Sequence, residues 1–160
     1  MCKTAIYPGT FDPVTFGHID LIRRSREIFS EIIVAVARST QKKPLFNLEE
    51  RVQLLKKAVK GIDSVSVQPF EGLVVNFARK KHVNVFIRGV RMFSDFEYEF
   101  QMALTNRKLA ADIETVYLMP QESYSYLSSR LLKEAAFLGA DLSSFVPDFV
   151  AKALVKKLKK

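Results

Sequence analysis

One stretch restricts the possible folds more than any other: residues 31–37, Glu-Ile-Ile-Val-Ala-Val-Ala. This run is almost continuously apolar and rich in β-branched residues, which is typical of a strand buried on both faces. Such strands belong to parallel sheets, because the crossover connections between parallel strands place helices on both faces of the sheet. Residues 31–37 therefore predict an interior strand of an α/β protein.

The rest of the chain alternates between strand and helix patterns. Further short strands are predicted at 5–7, 64–68, 83–87 and 114–119, and helices at 18–29, 48 to near 61, 73–81, 95–110, 128–137 and about 147–158. Five strands that alternate with helices predict an open, doubly wound, five-stranded parallel sheet. We expect this Rossmann-like, mononucleotide-binding fold to form a single domain over residues 1–160.

Local signals mark the starts of two of these helices. Asn47 and Glu50 are a predicted capping pair for the helix that begins at 48. Pro147 is predicted at the first position of the last helix.

Composition excludes several classes of protein. The single cysteine, Cys2, excludes an internal disulfide and a cysteine-based metal cluster. No apolar run approaches the roughly 20 residues of a membrane span, and residues 1–4 lack the apolar core of a signal peptide. We therefore expect a cytoplasmic protein that does not bind membranes. The net charge of +8 is enough to attract nucleic acid, anionic membrane or small phosphorylated substrates, and charge alone does not choose among them.

Side chains that can bind phosphate collect in the segments that follow the predicted strands, and the segments that enter the strands hold few of them. Ligands of such sheets bind beyond the carboxyl ends of the strands. The exit segments hold Thr10 and His18, Lys42 and Lys43, residues 70–72, Arg88 and Arg91, and residues 120–129. This distribution predicts a site for phosphorylated ligands at one edge of the sheet.

The segment at 7–18, Tyr-Pro-Gly-Thr-Phe-Asp-Pro-Val-Thr-Phe-Gly-His, is predicted to be a strand end, a tight loop and a helix start. Its two prolines fix φ, so the loop has a defined shape. His18 falls in the first turn of the helix, where free N–H groups and the helix dipole attract anions. Alternatively, Gly17 and His18 only begin the helix and the imidazole lies on the surface.

The sequence contains no Ser-His-Asp or Cys-His arrangement and neither a GxxxxGK[ST] nor a GxGxxG loop. A covalent mechanism and a P-loop NTPase are therefore disfavoured. Phosphoryl-type transfer needs no protein nucleophile when two substrates are held in line and the developing charge is stabilised. The residues indicate an enzyme that brings two phosphorylated molecules together.

The Thr-Phe-Gly-His pattern at 15–18 resembles the (H/T)-x-G-H signature of the nucleotidyltransferase superfamily, and the whole chain resembles bacterial phosphopantetheine adenylyltransferases. The resemblance also rests on residues 42–44, 48–51, 76–79, 87–91, 95–99 and 125–129. It implies reversible transfer of the adenylyl group of ATP to 4'-phosphopantetheine, without a covalent intermediate, giving dephospho-coenzyme A and pyrophosphate. It also implies Mg²⁺ as cofactor and a homohexamer that binds neither nucleic acid nor membrane.

The resemblance implies a role for individual residues. His18 would stabilise the transition state at the α-phosphate, and Thr10 would hold phosphates of both substrates. Phosphopantetheine would be bound by Thr10, Lys42, Val74 and Arg88. ATP would be bound by Thr10, Phe11, His18, Gly89, Val90, Arg91, Glu99, Tyr124, Ser125, Tyr126, Leu127, Ser128, Ser129 and Arg130. No protein side chain is predicted to bind the metal, because Mg²⁺ commonly bridges phosphates and keeps several waters.

The sequence departs from the family pattern at three positions. Tyr124 stands where tryptophan is common, which keeps an aromatic surface. Arg130 replaces a small hydroxyl residue and adds a cation near the triphosphate. Thr15 replaces the first histidine of the superfamily signature, so His18 is the imidazole that this motif retains.

Other interpretations of these residues remain open. Ser128 and Ser129 could cap a helix, and Glu99 could form surface ion pairs. The aromatic residues at 93–100 could belong to the core or to a subunit interface. Two other functions also remain open: a sister nucleotidyltransferase acting on nicotinamide mononucleotide or an alcohol phosphate, and a basic nucleic-acid-binding module. The segments at 76–79 and 88–91 argue against the sister enzyme.

Overall fold

The computed structural model describes residues 3–38 and 43–159. Within these residues the strands are Thr4–Gly9 (β1), Glu31–Ala37 (β2), Val65–Phe70 (β3), Val85–Gly89 (β4) and Glu114–Leu118 (β5). The α-helices are Phe16–Arg26 (α1), Leu48–Ala58 (α2), Val74–Lys81 (α3), Phe93–Leu109 (α4), Ser129–Phe137 (α5) and Asp148–Leu158 (α6). A short 3₁₀ turn, Glu122–Tyr124, follows β5.

The described strands form one parallel sheet in the order β3-β2-β1-β4-β5, which confirms the predicted fold class. Alternate residues of β1 contact opposite apolar layers: Ala5 and Tyr7 face one layer, and Ile6 faces the other. The first layer includes residues of α1, α2, α5 and α6, and the second includes Val75 and Ala78 of α3. Burial on both faces explains why β2 is apolar along almost its whole length.

Helix α1 is shorter than the prediction of 18–29 and begins two residues earlier. Thr15 caps its N-terminus, since the Thr15 Oγ1 accepts a hydrogen bond from the His18 N–H at 3.4 Å. The helix ends at Arg26, so Ile28 lies beyond it, and that side chain is 59% exposed. Phe29, beyond the helix, is buried in the core.

The predicted capping pair of α2 is confirmed. The Asn47 side chain accepts a hydrogen bond from the Glu50 N–H at 2.8 Å, and the Glu50 carboxylate accepts one from the Asn47 N–H at 2.8 Å. Pro147 occupies the N-cap of α6, one position before the predicted one. The reciprocal bonds fix where α2 begins.

Helix α4 is apolar on a face that the described chain leaves exposed. Phe93 is 93% exposed, and Phe96, Phe100 and Leu104 are each more than 40% exposed. The alternative that these aromatic residues fill the core is therefore wrong within this chain. Among the described residues, the helices are too short or too polar to cross a membrane.

Candidate active site

A pocket of about 610 Å³ lies beyond the carboxyl ends of β1 and β4, at the predicted edge of the sheet. Parallel sheets of this order bind ligands at this point, where the connections on either side of β1 run in opposite directions. The predicted site residues that line the pocket are Thr10, Phe11, His18, Arg88, Gly89, Arg91, Glu99, Tyr124, Leu127, Ser128, Ser129 and Arg130. The segments that follow β1, β2, β4 and β5 meet at this pocket, as predicted, whereas residues 70–72, after β3, are absent from its lining.

His18 is the third residue of α1, and its imidazole is fixed by Thr15. The Thr15 backbone N–H donates to Nδ1 of His18 at 3.0 Å, and the Thr15 Oγ1 lies at 3.0 Å from the same nitrogen. The ring also packs edge-on against Phe11, with 5.1 Å between the ring centroids. The alternative that the imidazole is a mere surface group is wrong, because it lines the pocket.

The environment keeps the His18 imidazole neutral. Burial lowers its pKa to about 4, and the nearby positive charges of Arg91 and Arg88 lower it in the same direction. A neutral ring whose Nδ1 accepts a hydrogen bond carries its proton on Nε2. His18 can therefore donate one hydrogen bond from Nε2 to an anionic ligand.

Arg88, at the end of β4, is held by Glu99 of α4. The Arg88 Nε donates to Glu99 Oε2 at 2.6 Å, and the Arg88 Nη2 donates to Glu99 Oε1. The remaining terminal nitrogen donates to the carbonyl of Pro8 in β1. Burial opposes the charge of Arg88, but the hydrogen bonds and charge of Glu99 outweigh it, so the pKa of Arg88 is raised. The guanidinium is therefore a fixed positive charge beside the pocket.

Gly89 and Arg91 shape the loop that follows β4. A Cβ on Gly89 would lie 2.4 Å from Cδ1 of Leu21 in α1, so the buried Leu21 side chain would have to move to accommodate any other residue. The Arg91 Nε donates to the Asp95 carboxylate at 3.0 Å, and the Arg91 Nη1 donates to the carbonyl of Leu127. Arg91 thereby connects the β4 loop to the segment that leads into α5.

The start of α5 presents backbone N–H groups to the same pocket. Ser128 is the N-cap residue, but its side chain makes no capping hydrogen bond. The Ser129 hydroxyl donates instead to the carbonyl of Pro13 at 2.9 Å. The capping interpretation of these two serines is therefore wrong. The first turn of α5 retains N–H groups and a positive dipole that can bind phosphate.

The sequence did not predict a role in the site region for Asp12, Lys133 or Arg51. The Asp12 carboxylate is buried and accepts hydrogen bonds from the N–H groups of Leu45 and Phe46, both at 2.9 Å. Lys133 lines the pocket and donates to the same carboxylate. Its place four residues after Ser129, on the same side of α5, was the available signal. Arg51 of α2 is 1% exposed and gave no such signal.

The carboxylates that line the described pocket belong to Asp12 and Glu99, and both are engaged by cations. Among the described residues, no group of three or more histidine, cysteine, aspartate or glutamate side chains could hold a metal ion. A divalent cation that enters with a nucleotide would therefore depend on phosphate and water oxygens for its ligands.

Some predicted ligand-binding residues lie elsewhere. Lys42 lies outside the described residues. Val74 opens α3, Val90 donates its N–H to the Leu118 carbonyl at 3.1 Å, and the Tyr126 ring packs against Phe145. Val74, Val90, Ser125 and Tyr126 are absent from the lining of the described pocket. Their contacts with ligands stay predictions.

Comparison with known proteins agrees with this geometry. Residues 6–135 match the cytidylyltransferase-like family model. A solved nicotinic acid mononucleotide adenylyltransferase from Plasmodium falciparum, in complex with NaAD, superposes with a TM-score of 0.73 at 14% identity, covering 98% of this chain and 96% of that one. The fold and the pocket at its strand ends define a nucleotidyltransferase.

Full-length relatives narrow the class. The phosphopantetheine adenylyltransferase of Caldanaerobacter subterraneus is 53% identical over 158 residues, which cover 99% of each chain. That of Thermodesulfovibrio yellowstonii is 52% identical over 161 residues, which cover both chains fully. The chain belongs to the phosphopantetheine adenylyltransferase family.

Proposed function

We propose that the protein catalyses the reversible reaction of ATP with phosphopantetheine to give dephospho-coenzyme A and pyrophosphate, by direct in-line transfer. The observation that carries the mechanism is the neutral His18 at the start of α1, with Arg88 and Arg91 close enough to lower its pKa. The family supplies the two substrates, and the pocket supplies groups that stabilise charge on a phosphate undergoing substitution.

In this reaction a terminal phosphate oxygen of phosphopantetheine attacks the α-phosphorus of ATP. A new P–O bond forms as the bond between the α-phosphorus and the bridging oxygen to the β-phosphate breaks, and pyrophosphate leaves with that electron pair. The attacking phosphate is already anionic, so no general base is required. The Nε2–H of His18 donates to an oxygen of the α-phosphate, where negative charge develops.

The two substrates would occupy opposite sides of His18. Arg88, held in place by Glu99, and Lys42 bind the phosphate of phosphopantetheine, with Thr10 contacting the phosphates of both substrates. The start of α5, together with Arg91 and Arg130, binds the triphosphate. Arginine suits both tasks because its planar fork offers parallel donors to phosphate oxygens.

Mg²⁺ is the proposed cofactor, and it would be held by the phosphates of ATP and by water. Both carboxylates that line the described pocket are committed to Arg88 and Lys133, which supports this arrangement. When bound, the cation neutralises charge on the triphosphate. The protein groups perform the orientation and the hydrogen bonding.

We also propose that the enzyme works in the cytoplasm as a homohexamer. The exposed apolar face of α4 supports self-association, because contiguous apolar patches on soluble chains commonly mark interaction sites. Light scattering after gel filtration gives the mass: six chains support the proposal, and a monomer contradicts it.

Pyrophosphate release tests the function directly. The purified protein is given ATP and Mg²⁺ with phosphopantetheine, nicotinamide mononucleotide or glycerol 3-phosphate in separate reactions. Release with phosphopantetheine alone is expected. Release with another acceptor would support a nucleotidyltransferase but contradict phosphopantetheine as its substrate. No release from folded protein would contradict the proposed activity.

A further inference from the structure

Arg51 is buried in α2 outside the pocket, yet it contacts the segments that form the pocket. Its Nε donates to the carbonyl of Phe46 at 3.1 Å. Its Nη1 donates to the carbonyl of Thr10 at 2.7 Å and to that of Ala37 at 2.9 Å. One guanidinium therefore links the loop after β1, the end of β2 and the residue before the α2 cap.

These three carbonyls adjoin the two segments that hold Thr10 and Lys42, which are proposed to bind the phosphate of phosphopantetheine. Ala37 and Phe46 lie on either side of residues 38–45, the segment that contains Lys42. Thr10 lies on the neighbouring loop. Asp12 reinforces the connection, since its carboxylate accepts hydrogen bonds from the N–H groups of Leu45 and Phe46. Buried charged groups thus connect the loop at 10–12 to Ala37 and to residues 45–46.

A buried arginine is costly unless its N–H groups have hydrogen-bond partners. Main-chain carbonyls supply those partners here, and the rigid guanidinium fork fixes where each carbonyl can lie. A lysine at the same position would keep the charge, but a single ammonium cannot reproduce three directions set by a planar group. Arg51 is therefore suited to holding geometry.

We propose that Arg51 is a positioning residue for the acceptor: it holds the Thr10 loop and residues 43–46, which directly follow Lys42 in the chain, at the separation that binds the phosphate of phosphopantetheine. The inference rests on the proposed function. Arg51 is absent from the pocket lining, so it acts through these backbone segments. Among the described residues, the other groups assigned to ATP, Arg91 and the start of α5, make no hydrogen bond with Arg51.

The test compares Arg51→Lys with Arg26→Lys. Arg26 is a matched control, because its Nε donates to the carbonyl of Asp63 at 2.8 Å and its Nη1 donates to that of Phe29, at the opposite edge of the sheet. We expect Arg51→Lys to raise KM for phosphopantetheine by about tenfold or more and KM for ATP by a clearly smaller factor, because of Thr10, Ala37 and Phe46 only Thr10 is also assigned to ATP. Arg26→Lys should leave both KM values unchanged.

The split between the two KM values separates positioning from a general loss of stability. A merely structural role would lower Tm and the fraction of active enzyme while leaving both KM values as in the wild type, and that result overturns the inference. If Arg51→Lys does not fold, Arg51→Gln, which keeps one N–H donor group, is measured in its place. Failure of both variants to fold also overturns the inference.

The wild-type enzyme, assayed in parallel, separates this inference from the proposed function. Wild-type protein that releases no pyrophosphate with phosphopantetheine overturns the function itself. Active wild type, together with Arg51→Lys that matches Arg26→Lys, overturns the positioning role alone.

Discussion

The backbone N–H of Thr15 donates a hydrogen bond to Nδ1 of His18 at 3.0 Å. The same threonine caps α1 through its hydroxyl, so one residue both starts the helix and sets the tautomer of the imidazole that lines the pocket. Because Nδ1 is an acceptor, the ring proton lies on Nε2. Replacement of the first histidine of the superfamily signature by threonine is compatible with this arrangement.

Replacement of His18 by alanine should lower kcat by about 100- to 1000-fold, because a donor to the transition state is lost. KM for ATP should change little, since the arginines and the α5 N-terminus remain. Steady-state kinetics measures both. His82→Ala is the control, because His82 is exposed at the end of α3. Turnover of His18→Ala within about threefold of wild type would contradict the role given to His18.

The pKa of His18 predicts how stability depends on pH. The imidazole has a pKa of about 4 in the folded protein against an ordinary value of 6.5, so the unfolded chain binds the proton first as the pH falls. The contribution of the neutral ring to stability is complete above about pH 6.5 and is lost as the pH falls toward 4. Urea unfolding at pH 7 and pH 5 should therefore show a larger loss for wild type than for His18→Gln. Equal losses would show that the pKa is not lowered.

Replacement of Glu99 by glutamine should weaken the hold on Arg88. The amide keeps one acceptor but loses the charge, and we expect the free energy of unfolding to fall by about 1 to 3 kcal/mol. Because Arg88 then points less consistently at the pocket, KM for phosphopantetheine should rise. Chemical denaturation and kinetics measure the two effects. Glu97→Gln, on an exposed position of the same helix, should change neither.

Replacement of Gly89 by alanine should push Leu21 away from β4. Overpacking of this kind costs about 1 to 3 kcal/mol in the free energy of unfolding. Leu21→Ala provides space for the new methyl group, so the double variant should lose less stability than the sum of the two single variants. Gly17→Ala is the control, since the nearest atom to its added Cβ lies at 3.6 Å. If the stability loss of the double variant equals the sum of the two single losses, the clash between the new methyl group and Leu21 is relieved in another way.

The sequence was most informative where a pattern is local. Residues 31–37 gave β2 with its observed bounds, and Asn47 and Glu50 gave the α2 cap, because both signals lie within a few residues. The meeting of Thr10, Arg88 and Ser128 at one edge also followed from the alternation of strands and helices. The connections of a parallel sheet leave little freedom in where strand ends point.

The sequence was less informative where a partner is distant. Arg51 resembles an ordinary surface arginine of a helix, and its burial depends on carbonyls of Thr10 and Ala37 that only the fold brings near. The pairing of Arg88 with Glu99 likewise joins a strand end to a different helix. The end of α1 before Ile28 depends on its C-terminal hydrogen bonds rather than on apolar spacing.

The strand order has a mechanical consequence. Strand β1 has β2 and β3 on one side and β4 and β5 on the other, so the sheet consists of an N-terminal and a C-terminal half that join where β1 meets β4. The pocket spans that junction, with Thr10 on one half and Arg88 on the other. A ligand that contacts both halves adds its binding free energy to the work of separating them. Bound substrates therefore act as a non-covalent cross-link across the middle of the sheet.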